Sequence, residues 1–135
     1  MKRTPMVFAA MLTAAPCAVA WACGACDEDK IAATYDHAVI ERATARHHQV
    51  VFVAIDGPVS AAEISRRVAA AAPNVRGVVA GTLRTALSPP AFSFALDGTQ
   101  KLGIAMADFR KAIRDRDARL TLVRVMRDGA LVEPN

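Results

Sequence analysis

From residue 49 to residue 127 the hydrophobic pattern alternates between strand-like and helix-like periods in a fixed order, and that order leaves the chain few folds. Residues 49–55 (QVVFVAI) are rich in β-branched and aromatic side chains and run into Asp56-Gly57-Pro58, so they read as a strand closed by a turn. Ser60 and Glu63 have the spacing of a capping box, and the helix they open carries Ile64, Val68 and Ala72 on one face before Pro73 stops it. Residues 77–87 and 91–96 read as two strands joined by Ser88-Pro89-Pro90, with Phe92, Phe94 and Leu96 alternating toward one side. Thr99 then caps a helix with Leu102, Met106, Phe109 and Ile113 at helical spacing, and residues 119–127 (RLTLVRVMR) form a last strand before the Asp128-Gly129 turn. Ahead of this block, residues 27–46 predict one helix whose apolar stripe is Ile31, Tyr35, Ala38, Val39 and Ala43, which places Tyr35 in the core.

The order β-α-β-β-α-β predicts an α+β fold: a ferredoxin-like βαββαβ antiparallel sheet with both helices on one face, plus an additional N-terminal helix. With the Pro73-Asn74-Val75 step into the second strand, residues 49–127 resemble the heavy-metal-associated domains of metal chaperones, in topology only. That family binds soft metal through Cys-x-x-Cys in the loop after the first strand. Here that loop is Asp56-Gly57-Pro58-Val59-Ser60, without a thiol, so the resemblance carries over no ligand. The open face of such a sheet, opposite its helices, is expected to serve a homodimer or a protein partner.

The front of the chain predicts export. Lys2 and Arg3 precede an apolar run at 6–15 (MVFAAMLTAA), Pro16 breaks it, and Ala18-Val19-Ala20 is a small-residue cut site. Ten apolar residues span only about 15 Å as a helix, roughly half a bilayer core, so the run is too short for a membrane anchor. The expected division is a signal peptide at 1–20, a CxxC segment and helix at 21–48, the ferredoxin-like domain at 49–127 and a tail at 128–135. In a bacterium the compartment is the periplasm. A cut after Ala22 instead would leave Cys23 as the N-terminus. Removing Lys2 and Arg3 from the 17 Lys and Arg leaves 15 against 13 Asp and Glu, a net +2 that is too small and too scattered for a nucleic-acid footprint. The basic run Arg110, Lys111, Arg114, Arg116 and Arg119, interleaved with Asp108, Asp115 and Asp117, reads as the solvated face of a helix.

The chemical handle is Cys23-Gly24-Ala25-Cys26, which holds the only two cysteines beyond the expected signal. The stretch 23–39 (CGACDEDKIAATYDHAV) is similar to that of small exported proteobacterial proteins, a likeness that brings no function with it. Three uses stand open for the pair. A structural Cys23–Cys26 disulfide would form in an oxidising compartment but closes a tiny loop, contributing at most ~2 kcal/mol. A thiol-disulfide module would have Cys23 attack and Cys26 resolve, and Trp21-Ala22-Cys23-Gly24-Ala25-Cys26 resembles the Trp-Cys-Gly-Pro-Cys site of thioredoxins. Against that use, Asp27, Glu28 and Asp29 follow directly and oppose a thiolate, with Lys30 a single counterweight. The third use is a soft-metal site, since thiolates select ions such as Cu(I) or Zn(II) and residues i and i+3 converge at a helix start.

Three histidines could be added to the pair. On one unbroken helix His37 lies about 16 Å beyond Cys26, whereas ligands of one ion sit within about 4 Å of each other, so a shared Cys2His2 site is excluded unless the helix breaks or a second chain supplies the partner. His37 is expected to pair with Glu41 on an exposed face, and His47-His48 to act as charges at a helix C-terminus. No nucleophile with a base and a pocket appears, and Ser60 lacks a Gly-x-Ser-x-Gly setting. The expected function is therefore a non-enzymatic, exported soft-metal binder with Cys23 and Cys26 as ligands.

Overall fold

The computed structural model describes residues 23–134 of the chain. The elements are α1 (Cys23–Thr34), α2 (His37–Ala45), β1 (Gln49–Asp56), α3 (Ala61–Ala71) with a 3-10 turn at Ala72–Asn74, β2 (Arg84–Leu87), β3 (Pro90–Leu96), α4 (Leu102–Ile113), β4 (Arg119–Arg127) and β5 (Ala130–Val132). The fold is α+β: four helices and an open, antiparallel sheet of five strands in the order β2-β3-β1-β4-β5. A four-stranded sheet was expected from the pattern; the chain adds β5 at the edge. Asp128 and Gly129 both have positive φ, 49° and 79°, and form the two-residue turn between the paired Arg127 and Ala130. Asp-Gly is a favoured sequence for such a tight hairpin, so the expected tail folds back as a strand.

β1 is the spine. Its interior is buried on both faces, which is why its sequence reads as a continuous apolar run rather than an alternation. Val51, Val53 and Ile55 face Ile64 and Val68 of α3 and Ala105, Met106, Phe109 and Ile113 of α4. Phe92 and Phe94 of β3 join them, with the Phe109 ring 5.3 and 5.1 Å from theirs. Val50, Phe52 and Ala54 face the other way, onto Val39, Ile40 and Ala43 of α2. The second sheet face, expected to be open, carries the N-terminal helices, which pack on β1 and on the neighbouring strands.

Those N-terminal helices are two, where the stripe predicts one. Thr34 Oγ1 donates to the Lys30 carbonyl within its own helix, and Ser93 Oγ on β3 donates to the Thr34 carbonyl, the acceptor that a continuing helix would use. Asp36 restarts the helix by accepting the Val39 N–H, and its other oxygen accepts from Arg84 Nε at 2.7 Å. The break takes Tyr35 off the buried stripe, leaving it 48% exposed instead of in the core.

Two further expectations shift. The strand expected at 77–87 survives only as β2, with a lone bridge from Val78 to Leu96; Gly77 and Gly81 have φ of 85° and 75°, outside the extended region of a regular strand. Thr99 does not cap α4: its N–H and hydroxyl both donate to Asp97, and Lys101 holds the N-cap position without a side-chain bond. Ser60 does cap α3, accepting from the Glu63 N–H at 3.3 Å.

The Asp36 carboxyl is held below the ordinary carboxylate range, first by the Val39 N–H and then by Arg84. A depressed folded pKa gives stability that is present above the unfolded value and lost as pH falls through the folded one. Asp36→Asn keeps a good cap but loses the charge. Its urea midpoint should fall below wild type at pH 7 and converge with it in acid, as pH falls through the lowered folded pKa of Asp36 and the wild-type side chain also becomes neutral. Asp97, lowered by the two Thr99 hydrogen bonds and then by the nearby His48, supplies part of the remaining acid sensitivity.

Candidate functional site

α1 begins at Cys23, so Cys23 is its first residue and Cys26 its fourth, one helical turn apart along the backbone. The side chains of both cysteines lie outside the described residues, as does the whole expected signal peptide. Asp27, Glu28 and Asp29 were expected in the first turn of a helix starting at residue 27. The earlier start moves them into the second turn, behind the cysteine pair.

Two contacts set the course of α1. Lys30 Nζ reaches Asp56 Oδ1 at 3.6 Å, at the C-terminal end of β1, and the Thr34 carbonyl meets Ser93 near the middle of β3. The helix thus runs from the rim of the sheet inward over its second face, and its N-terminal turn points back toward the rim. No helix among the described residues is long and apolar enough to cross a membrane.

The break at residues 35–36 removes the premise that separated His37 from the cysteines along a single helix. The histidines are nonetheless dispersed. His37 Nε2 pairs with Glu41 at 3.1 Å, both side chains well exposed, as their spacing predicts. His47, at φ 55°, holds its Nδ1 3.2 Å from Asp128 Oδ1 and so ties the end of α2 to the β4–β5 turn. His48 is half-buried on the far side of the same corner, beside Arg42 and Arg46. Among the described residues no three His, Cys, Asp or Glu side chains gather closely enough to hold a metal ion.

The remaining concave surfaces were not foreseen in the sequence. One, at the C-terminal end of α4, is lined by Arg67, Asp108, Lys111 and Arg114; Arg67 there donates to the Ile113 carbonyl at 2.7 Å and pairs with Glu63. The basic run expected on a helix face is divided by this end, because Arg114 takes a left-handed conformation and Arg116 and Arg119 lie past the helix. Another is apolar, with Ile31 and Ala32 of α1 and Tyr35 just past its end beside Leu131 of β5. The signals were the i,i+4 spacings on each helix, but the partner elements come from distant parts of the chain.

Comparison with protein-family models, with curated proteins and with solved structures finds no match to this chain. Function has to be argued from the residues themselves.

Proposed function

We propose that the protein is an exported, non-enzymatic soft-metal binder that holds one ion, with Cu(I) preferred, through Cys23 and Cys26. The observation that carries this reading is the start of α1 at Cys23. Residues i and i+3 on a helix have Cβ atoms about 5–6 Å apart, a spacing from which two thiolates can reach one ion. Metal–sulfur bonds of about 2.3 Å place two such sulfurs roughly 4 Å from each other. A soft monovalent ion suits two thiolates, and the acidic turn that follows favours a cation over a free nucleophilic thiolate.

The proposed scaffold is a ferredoxin-like core over 49–127. Support comes from the chain order β1-α3-β2-β3-α4-β4, from β1 lying between β3 and β4, and from α3 and α4 sharing one face. On this reading α1, α2 and β5 are additions, and the thiols sit on an added helix rather than in the loop after β1.

The test is a Cu(I) titration of the reduced mature protein, without oxygen, against a competing chelator. Wild type should bind one equivalent with sub-micromolar affinity, and Cys23→Ser and Cys26→Ser should each weaken binding at least about tenfold. Failure of the wild-type protein to compete with the chelator, or unchanged binding in both variants, would sink the proposal.

A further inference from the structure

The end of α2 is built in a way that gathers positive charge around a small hollow. The His47 N–H donates to the Thr44 carbonyl at 3.1 Å and the His48 N–H to the Ala43 carbonyl at 2.8 Å, with His47 left-handed between them. This is a Schellman ending, in which the backbone itself satisfies the last helical carbonyls. Arg42 and Arg46 stand one turn apart on α2, and the reversal brings His48 back beside them. All three line a hollow of about 110 Å³, closed by Val39, Ala43 and Ala95 and by the 79–82 turn.

We propose that this hollow binds a small free oxyanion of the phosphate or sulfate class, held by Arg42, Arg46 and His48. Basic side chains at a helix end ordinarily serve its carbonyls. Here the Ala43 and Thr44 carbonyls already have backbone donors. Arg42 spends only Nε, on the Ala38 carbonyl at 3.1 Å, which leaves both terminal nitrogens of its guanidinium for a ligand. Arg46 has no carboxylate within salt-bridge distance among the described residues, and none lines the hollow. Asp97 interacts electrostatically with His48 from outside the hollow, so the two arginines supply the charge that an anion would meet.

Without an anion, two like charges at i,i+4 repel each other. An oxyanion between them turns that repulsion into charge-assisted hydrogen bonds, which guanidinium groups form with two parallel donors. The hollow, of about 110 Å³, has room for a small tetrahedral oxyanion between the two arginines. Thr82 on the far wall is buried and internally satisfied, donating to the Val79 carbonyl and accepting from the Ala95 N–H, so the wall is fixed before a ligand arrives.

Calorimetric titration of the full mature protein with inorganic phosphate, and separately with sulfate, tests this at constant ionic strength set by sodium chloride. The expected result is saturable binding of one anion per chain. Arg46→Gln should weaken it at least tenfold, as should Ala80→Glu, which brings a carboxylate to the exposed rim and leaves the arginines in place. Arg116→Gln, far from the hollow, should leave it unchanged. Heats indistinguishable from those of added chloride would overturn the proposal, and so would equal weakening by Arg46→Gln and Arg116→Gln. Should Arg46→Gln fail to fold, Ala80→Glu decides: retained affinity in that variant counts against the site.

Discussion

Phe94→Ala should unfold at a much lower urea concentration than wild type, with a loss of about 3–5 kcal/mol and an unchanged denaturant slope. Phe94 is fully buried, 6.0 Å from the Phe92 ring and 5.1 Å from that of Phe109. These three rings join β3 to α4 and fill the space between the sheet and its two core helices. Removing Phe94 takes away transfer free energy and leaves a cavity beside two neighbours that are themselves held by β3 and α4. A domain of this size has a total stability of about 5–15 kcal/mol, so the variant approaches the unfolding threshold. A loss under about 1 kcal/mol would mean that the rings do not pack as described.

The second large effect is expected at a turn with no side chain of its own. Gly57 has φ 110°, and a Cβ added there would stand 2.0 Å from the Asp117 carbonyl oxygen. That approach brings the end of β1 against the 115–118 turn leading into β4. Gly57→Ala meets both a left-handed backbone and a backbone clash that no flexible side chain can relieve, so a loss of about 2–5 kcal/mol is expected. Gly98→Ala is the matched control: nothing lies within 4 Å of its added Cβ, and its φ is not positive. Its change in stability should stay within roughly 0.5 kcal/mol. Equal urea midpoints for the two variants would contradict the close approach.

Much of the scaffold is legible in the sequence because its signals are local. The alternation of Phe92, Phe94 and Leu96 needs only its own strand, and residues 119–127 match β4 end to end. The Ser60 cap needs only the next three residues. The elements that differ from expectation are those decided by distant partners. Nothing in residues 27–46 shows that Ser93 and Arg84, 59 and 48 residues away along the chain, will take Thr34 and Asp36 out of a single helix. The exposure of Tyr35 and the covering of the second sheet face both follow from that break and from the docking of α2. β5 has only three residues, too few for a periodic pattern, and its Asp-Gly turn was the one available signal.

The candidate site divides in the same way. The cysteine pair and its acidic follower are read directly from residue order, as is the expectation of an export signal. The gathering of Arg42, Arg46 and His48 depends on how a helix ends, with His47 adopting a left-handed conformation that is uncommon for any residue but glycine. The chain thus separates its polar features by element: thiols at the start of α1 and a basic hollow at the end of α2, with the larger of the two apolar clusters on the opposite side of the sheet.

The central proposal is that soft-metal chemistry belongs to the two thiols at the start of α1 and to none of the histidines. X-ray absorption at the copper edge, on the mature protein loaded with one equivalent of Cu(I), reads the coordination shell directly. The predicted result is a shell of two sulfurs with no imidazole scattering, unchanged when His37, His47 and His48 are replaced together by Gln. Imidazole scattering from the wild-type protein, or a copper shell without sulfur, would contradict it.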